Sequence, residues 1–202
     1  MKKETIVVAS SNKGKIREIK EIFKDYDVLS IKDMEDILGK KIVVNENKDT
    51  FKENALEKVR DLYEQVGKKY ICVADDSGIS IDVLNGFPGV HTARWLDAND
   101  HIKNLELLKK VGKTAKEKRK CHYTTVIALK SKNVEETFEC VLSGMVSDNA
   151  RGENGFGFDE IFELPNGKTL AEISTLEKLK LSPRKEALDM LNKYLKKFKT
   201  EK

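Results

Sequence analysis

The sequence predicts an α/β protein with a mixed β-sheet and flanking helices. Short β-branched runs alternate with amphipathic helical patterns along most of the chain, which is typical of α/β folds. Two longer strand patterns, residues 122–129 and 136–145, are separated only by residues 130–135, which indicates an antiparallel hairpin within that sheet. With 202 residues, 39% of them apolar, the chain is long enough for one domain with its own core.

The first strand is predicted over residues 5–9 and is followed by a polar segment, Ser10-Ser11-Asn12-Lys13-Gly14-Lys15. Isoleucines at helical spacing then predict a helix that begins near Ile16. Loop amides and a helix N-terminus can bind an anion, and Lys15 would add a full positive charge. A common strand-to-helix turn with a Ser or Asn cap explains the same residues, so both interpretations stay open.

After a second strand (26–31) and a short helix (33–38), a strong helix is predicted over residues 50–66. Asn54 and Lys58 lie one turn apart on this helix, next to its apolar stripe, and Glu46 precedes the helix in a polar loop. The two polar side chains therefore either line a cleft or lie on the exposed side of an amphipathic helix.

The central stretch of the sequence runs from Ile71 to Val83. Four apolar residues lead into Asp75-Asp76-Ser77-Gly78, and an alternating segment follows from Ile79. We expect a buried strand that ends at a tight turn in this motif and reverses into a second strand. Adjacent carboxylates repel each other unless a cation or a donor satisfies them. Mg²⁺ with bound phosphates is one explanation of the pair, and an acidic surface turn is the other.

The second half of the chain contains a helix, predicted over residues 99–111 with Ile102, Leu105 and Leu108 facing inward. It also contains a glycine-rich loop, residues 152–159, in which two phenylalanines alternate with glycines before Asp159. Glycines allow close backbone approach and an aromatic ring can stack on a base. A turn with two core phenylalanines fits the same pattern.

The last helix is predicted to begin at Ser182-Pro183, with Ser as the cap and Pro at the first helical position. Arg184 lies in its first turn, where a positive charge opposes the helix dipole. This unfavourable placement favours the interpretation that Arg184 contacts a ligand.

Composition excludes several classes of protein. The net charge is only +4, and the lysine-rich stretches 109–120 and 193–202 are better explained by solvated surfaces than by nucleic-acid binding. Three widely spaced cysteines without a CxxC pair indicate neither a disulfide framework nor a zinc site, so we expect a reducing cytoplasm. The N-terminal apolar stretch is too short for a signal peptide, and no run is long enough for a membrane span.

In this order the motifs resemble the inosine triphosphate pyrophosphatase family, also called the Ham1-like non-canonical purine NTP pyrophosphatases. The resemblance runs from Val7 to about Leu191. Two positions depart from the family pattern: Ser182-Pro183-Arg184 stands where the family has Ser-His-Arg, and Asn45 stands where it often has a second acid beside Glu46. The matching motifs are residues 10–15, Thr50-Phe51-Lys52-Glu53-Asn54-Ala55, Asp75-Asp76-Ser77-Gly78, Pro88-Gly89 with Arg94, Gly155-Phe156-Gly157-Phe158-Asp159, and Ala171-Glu172 with Lys178.

The resemblance implies an elongated two-lobed fold with a nucleotide cleft between the lobes, and a homodimer. It implies one domain over residues 1–202, with a frayed tail at about residues 197–202. The implied reaction is Mg²⁺-dependent hydrolysis of ITP, dITP and XTP to the monophosphate and pyrophosphate. No stable nucleic-acid partner and no membrane partner are implied.

On this pattern Glu46, Asp75 and Asp76 would hold Mg²⁺, and Asp76 would also orient or deprotonate the attacking water. Because Pro183 removes a side-chain donor, we expect weaker base selectivity than the family histidine gives. Asn12, Lys15 and Lys58 would bind the phosphates, and the purine would stack on Phe156. The edge of the purine would be recognised by Asp159, Lys178 and Arg184. The substrate-binding residues implied in full are Ser10, Ser11, Asn12, Lys13, Gly14, Lys15, Lys58, Ser77, Phe156, Gly157, Phe158, Asp159, Lys178 and Arg184.

Two other functions are kept as alternatives. A related pyrophosphatase would act on another modified nucleotide, and a panel of nucleotides would decide between the two. A non-catalytic nucleotide- or RNA-binding protein would bind without turnover and with strong salt dependence. The intact carboxylates and Lys15 argue against this second alternative.

Overall fold

The computed structural model describes residues 3–200, and the side chains as far as residue 197. The tail expected over about residues 197–202 ends outside this range, so it stays a prediction. None of the described helices is long and apolar enough to cross a bilayer. Within the described range six strands and six α-helices follow one another: β1 (Thr5–Val8), α1 (Lys13–Ile22), β2 (Asp27–Ser30), α2 (Ile31–Leu38), α3 (Phe51–Val66), β3 (Ile71–Ile81), α4 (Asp100–Val111), β4 (Lys120–Lys130), β5 (Glu135–Val146), β6 (Phe162–Glu163), α5 (Thr175–Leu181) and α6 (Pro183–Thr200).

The strands form one mixed sheet in the order β2-β1-β3-β4-β5-β6. Strand β1 pairs in parallel with β2 and with β3, whereas β5 and β6 are antiparallel. Strands β4 and β5 are neighbours joined by a turn in which the Ser131 N–H donates to the Val134 carbonyl at 2.8 Å. The predicted α/β class, the mixed sheet and the hairpin are therefore confirmed. Strand β6 is two residues long and was not predicted.

The chain divides into two compact units. The first unit consists of the chain as far as Asp76, Thr125–Cys140, and the chain from Arg184 onwards. The second unit consists of Ser77–Thr124 and Val141–Pro183. Each unit has its own hydrophobic core and its own share of the predicted site residues.

The first unit has two cores, one on each face of strands β1 and β3. Successive side chains in a strand point to opposite faces. Val8 and Val73 pack with residues of α1 and α6, whereas Cys72 and Ala74 pack with residues of α3. By the same alternation Asp75 lies on the α1/α6 face and Asp76 lies on the α3 face.

Strand β3 is continuous from Ile71 to Ile81, so the tight turn predicted at Asp75-Asp76-Ser77-Gly78 is wrong. Gly78 is not among the glycines with positive φ, and it takes part in the strand like any other residue. The two carboxylates have cationic partners on the adjacent helices, so the chain does not have to leave the sheet to hydrate them. The left-handed turn residues come later, at Asn85 and Gly86.

Helix α4 begins at Asp100 with Asn99 as its cap, within one residue of the predicted start, but its buried face differs from the predicted one. Ile102 and Leu105 are 42% and 36% exposed, whereas Asn104 and Leu107 are completely buried. The inward orientation predicted for Ile102 and Leu105 is therefore wrong. A pattern of apolar residues could not show that a polar residue, Asn104, takes the buried position.

The predicted start of the last helix agrees with the structure. Helix α6 begins at Pro183, and the buried residues among its described side chains are Ala187, Leu188, Leu191 and Leu195. The three cysteines, Cys72, Cys121 and Cys140, are buried and free.

Candidate active site

Lys58 is at the centre of a buried cluster in the first unit. Helix α3 begins at its cap Thr50, whose hydroxyl accepts from the Glu53 N–H at 3.1 Å, and its apolar face packs on the sheet. This packing places Lys58 one turn beyond Asn54, both of them buried. Lys58 Nζ donates to Asp76 Oδ1 at 2.7 Å, to the Asp75 carbonyl at 2.8 Å and to Glu46 Oε2 at 3.1 Å. We call Glu46, Lys58 and Asp76 the carboxylate cluster.

The charge of Lys58 is fixed by its partners. Burial alone would lower the pKa of this amine, but the Asp76 and Glu46 carboxylates outweigh burial and the pKa of Lys58 is raised. Lys58 therefore stays protonated. The exposed-face interpretation of Asn54 and Lys58 is excluded by their burial.

Asp76 has one carboxylate oxygen in use and one without a partner. Oδ2 is buried and has no hydrogen-bond partner among the residues that the structure describes. Burial raises the pKa of Asp76, and the opposing effect of Lys58 does not cancel that rise. A buried acceptor without a donor is costly, so it indicates a ligand such as water or a cation. Glu46 and Asp76 supply the carboxylate oxygens that a hard cation such as Mg²⁺ requires, so these residues fit the ion.

Asp75 has a different environment on the other face of β3. Its Oδ1 accepts from Lys15 of α1, and its Oδ2 accepts from Arg184 Nε of α6 at 2.8 Å. Burial would raise the pKa of Asp75, but the two cations together hold it well below its usual range. Arg184 Nη1 also lies 3.6 Å from Glu18 Oε2. Both oxygens of the Asp75 carboxylate are thus engaged by cations of the protein.

The three carboxylates predicted to hold a metal are therefore not brought together. No group of three or more His, Cys, Asp or Glu side chains in the described part of the chain could hold a metal ion. Glu46 and Asp76 share Lys58, whereas Asp75 is bound to Lys15 and Arg184. The role of Asp75 as a metal ligand stays a prediction without a supporting contact.

The loop before α1 uses its own side chains to satisfy its amides. Asn12 is the helix cap, and its Oδ1 accepts from the Gly14 N–H at 2.9 Å and from the Lys15 N–H at 3.2 Å. The Asn12 N–H in turn donates to Ser10 Oγ at 3.1 Å. The cap interpretation is therefore confirmed, whereas anion binding with the help of Lys15 stays a prediction.

Lys13 lies on a different side of α1 from Lys15, because residues two apart in a helix do not face each other. It lines a groove of about 490 Å³ together with Ile16, Arg17 and Lys20. Ser11 is exposed in the same loop, and Ser77 follows Asp76 in β3 and is half-buried. The roles predicted for these three residues in substrate binding stay predictions.

Of the predicted base-binding residues, Phe156, Asp159 and Lys178 meet in the second unit, whereas Arg184 belongs to the first unit, where it donates to Asp75. Asp159 is buried, and its Oδ2 accepts from the Phe156 N–H at 2.8 Å and from Lys178 Nζ. Lys178 Nζ also lies 4.3 Å from the centre of the Phe156 ring, as in a cation–π contact. Burial raises the pKa of Asp159 although Lys178 opposes that rise. Gly155 has a φ of +85°, and a Cβ there would collide with the Asp159 carboxylate, so glycine is required.

The two phenylalanines of this loop have different environments. Phe156 is 63% exposed, whereas Phe158 is buried in the core of the second unit. Stacking on a base is thus available to Phe156 alone. Phe158 is a core residue, as the alternative interpretation had it.

Two residues that hold this loop were missed by sequence reasoning. Asp100 and Asn104 of α4 contact the backbone of Gly157. No local pattern marks them, because a charged residue in the first turn of a helix and a polar residue in its middle are both common.

Comparisons with known proteins agree on one family. A model of the Ham1 family matches residues 6–194. The dITP/XTP pyrophosphatase of Thermoanaerobacter sp. (strain X514) is 43% identical over 200 residues, which cover 98% of this chain and 99% of that protein. The dITP/XTP pyrophosphatase of Staphylococcus aureus (strain MRSA252) is 38% identical over 194 residues, 94% of this chain and 95% of that one.

Solved structures give the same result. The Staphylococcus aureus Ham1 protein superposes with a TM-score of 0.86 at 35% identity and covers 96% of this chain and 98% of its own. A HAM1 protein from Coxiella burnetii superposes with a TM-score of 0.84 at 30% identity and covers 96% and 99%. At these identities the likeness extends beyond the fold to the sequence.

Proposed function

Since this chain belongs to the Ham1 family, we propose that it is a pyrophosphatase for non-canonical purine nucleoside triphosphates. Relatives that match almost its whole length are named dITP/XTP pyrophosphatases. The observation that carries the proposal for this chain is the carboxylate cluster, in which the buried Asp76 keeps one oxygen without a partner. The proposed substrates are ITP, dITP and XTP, and the proposed products are the monophosphate and pyrophosphate.

We propose Mg²⁺ as the cofactor, held by Glu46 and Asp76. When bound, the ion supplies positive charge to the phosphate oxygens. The protein's own cations act on the same substrate: Lys58 and Lys15 would bind phosphate oxygens and orient the α-phosphate for in-line attack. Arg184 would add a second positive charge beside Lys15, because the Asp75 carboxylate accepts hydrogen bonds from both side chains.

Asp76 is proposed as the general base. Its Oδ2 would accept a hydrogen bond from a water molecule and direct that water towards the α-phosphorus. The water oxygen forms a bond to phosphorus, the bond from phosphorus to the bridging oxygen breaks, and pyrophosphate leaves with that electron pair. The proton of the water passes to Asp76 Oδ2, the buried carboxylate oxygen that has no partner among the described residues.

Discrimination between purines is proposed to depend on Lys178 and Asp159. Hypoxanthine and xanthine carry a keto oxygen at position 6, to which Lys178 can donate. Adenine carries an amino group there, so a donor would face a donor at a cost of about 1–3 kcal/mol for each unpaired buried group. Guanine also has the keto oxygen, so its rejection would depend on its 2-amino group.

The homodimer, the cytoplasmic location and the absence of a stable nucleic-acid partner stay predictions. The dimer implies a concentration-dependent mass in solution, which light scattering over a dilution series would measure. A nucleic-acid partner would be revealed by salt-dependent binding of an oligonucleotide.

The proposal is tested by pyrophosphate release from ITP, XTP, dITP, GTP and ATP, with Mg²⁺ and with a chelator. Wild type should turn over the first three nucleotides only with Mg²⁺. Asp76→Asn keeps the size of the side chain and should lose at least about 100-fold in rate, the usual contribution of a general base. Asp36→Asn, at an exposed position of α2, is the matched control and should behave as wild type.

The set of nucleotides that is turned over distinguishes the proposed function from its alternatives. Rapid turnover of GTP as well would support the expectation that Pro183 weakens base selectivity, and Pro183→His should then restore it. Turnover restricted to another modified nucleotide would support the related pyrophosphatase. Binding without turnover of any nucleotide would contradict the enzyme and favour the binding protein.

A further inference from the structure

One turn of helix α4 holds both backbone polar groups of Gly157. Asp100 Oδ2 accepts from the Gly157 N–H at 2.7 Å, and Asn104 Nδ2 donates to the Gly157 carbonyl at 2.9 Å. Positions four apart lie on the same face of a helix, so the two side chains reach the same residue. All of these atoms belong to the second unit.

The burial of Asn104 indicates that it serves the loop and not the helix. It is completely buried in the middle of α4, where a polar side chain is costly unless it is hydrogen-bonded. Among the described residues, the hydrogen bonds of its Nδ2 go to the segment after Phe156: to the Gly157 carbonyl and, at 3.2 Å, to Glu160 Oε2. His101 Nδ1 lies 2.8 Å from the same Glu160 oxygen, which adds a second connection between α4 and this segment.

Gly157 is the residue between the two parts of the proposed base site. It follows Phe156, whose ring is exposed, and it precedes the segment that ends in Asp159. Its φ is +65°, so its backbone is in the left-handed region. Fixing its N–H and its carbonyl fixes the peptide planes on both sides, and therefore the position of the Phe156 ring relative to the Asp159 carboxylate.

We propose that Asp100 and Asn104 are positioning residues for purine recognition. They hold Gly157 so that Phe156 and Asp159 are presented to the base in one fixed arrangement. This inference rests on the proposed function, because it assigns the loop to the base of the substrate. Neither residue contacts the base itself, so both should affect base affinity without affecting phosphate affinity.

The test compares Asp100→Ala with Asp100→Asn. Both variants remove the same charge, but only Asn keeps an acceptor oxygen for the Gly157 N–H. Asp100 is exposed at the start of α4, so neither change threatens the fold. We expect Asp100→Ala to raise the KM for ITP roughly tenfold, as for the loss of one charge-assisted hydrogen bond, with little change in kcat. Asp100→Asn should stay within about twofold of wild type.

A phosphate-only ligand separates positioning from a general loss of structure. Inhibition by tripolyphosphate should be the same for wild type and both variants, because that ligand has no base. Asn104→Leu, which keeps a similar size and loses the donor without placing a charge beside Glu160, should show the same pattern as Asp100→Ala, with its Tm measured alongside. Equal effects of Asp100→Ala and Asp100→Asn, or parallel weakening of ITP and tripolyphosphate, would overturn the inference.

Calorimetric binding of IMP to wild type and to the two Asp100 variants distinguishes the inference from the proposed function. If wild type releases no pyrophosphate from ITP, the proposed function fails, and the IMP affinities then decide the inference alone. Weaker IMP binding in Asp100→Ala than in Asp100→Asn supports it. Equal affinities, or no IMP binding by wild type, reject it.

Discussion

Asp75 and Asp76 are adjacent in the sequence, yet their environments shift their pKa values in opposite directions. Burial raises the pKa of Asp76, which keeps one oxygen without a partner, whereas Lys15 and Arg184 lower the pKa of Asp75 despite its burial. Such separation of two carboxyl groups usually accompanies separate roles. Asp76 is suited to proton transfer, and Asp75 is suited to holding the two cations in place.

Replacing Asp75 should therefore cost stability. Asp75→Asn leaves Lys15 and Arg184 partly buried without their shared counter-ion, and removing one partner of a buried ion pair typically costs about 3–5 kcal/mol. Because both cations retain some exposure, we expect the lower end of that range, about 3 kcal/mol, in the free energy of unfolding measured with urea. Asp189→Asn breaks a half-exposed pair with Lys185 within α6 and should cost no more than about 0.5 kcal/mol. A cost for Asp75→Asn as small as that control would contradict the role of Asp75 as an internal counter-ion.

The two phenylalanines of the glycine-rich loop provide a matched pair for a second test. Phe156→Ala removes an exposed ring and should leave Tm unchanged, but it should raise the KM for ITP, because base stacking contributes about 1–3 kcal/mol. Phe158→Ala empties a core position and should lower the free energy of unfolding by about 3–5 kcal/mol. Thermal unfolding and ITP kinetics on both variants check the pair. Loss of stability in Phe156→Ala without any change in KM would refute base stacking by Phe156.

At the scale of elements, helix α3 is connected to the sheet by two charged side chains near its middle. Lys58 joins the carboxylate cluster, and Arg60 Nε donates to Glu135 Oε2 of β5 at 3.0 Å. Lys130 Nζ of β4 lies 3.0 Å from the same Glu135 oxygen. Arg60, Glu135 and Lys130 therefore connect one helix to two neighbouring strands.

This connection should make stability depend on pH. The hydrogen bonds from Arg60 are the main reason why the pKa of Glu135 is lowered from 4.5 to about 2. Because the folded-state pKa is the lower one, Glu135 stabilises the fold above pH 4.5, and its contribution disappears as the pH falls towards about 2. Its side chain is 27% exposed, and solvent screening reduces the contribution to about 1 kcal/mol.

Urea unfolding of wild type and Glu135→Gln across the acidic range measures this dependence. The difference in the free energy of unfolding should be full near neutral pH and should shrink as Glu135 becomes protonated. Glu64→Gln, which breaks an exposed pair with Lys68, is the control and should differ little from wild type at any pH. A Glu135→Gln difference that grows towards low pH would contradict the assigned direction.

At the scale of the whole molecule, the sequence predicted those features that depend on residues close together in the chain. The helical spacing of Ala55, Val59, Leu62 and Val66 was sufficient to predict α3, and Ser182-Pro183 was sufficient to predict where α6 begins. Features that depend on distant residues were missed. Asp75 is satisfied by Lys15, 60 positions before it, and by Arg184, 109 positions after it. Without those partners the motif resembled a solvated turn, and the continuous strand β3 could not be anticipated.

The candidate site follows the same rule. The resemblance grouped Glu46, Asp75 and Asp76 as metal ligands. The structure brings Glu46 and Asp76 together on Lys58, whereas the Asp75 carboxylate binds Lys15 and Arg184. Asn104 was not among the residues of α4 predicted to face inward, because that prediction used apolar residues alone. Its buried position depends on its contact with Gly157, which lies 53 positions further along the chain. The spacing of residues within α4 therefore cannot reveal it.

The free cysteines have a practical consequence for measuring motion. Cys72 is in the first unit and Cys121 is in the second, and both are completely buried. Burial raises the pKa of Cys72 to about 12 and also raises that of Cys121, so neither thiol is nucleophilic while its surroundings stay closed. Each becomes reactive towards an alkylating reagent only when its own unit opens. The rate at which each thiol is alkylated, resolved by peptide mass spectrometry, therefore reports the local opening free energy of each unit in the unmodified protein.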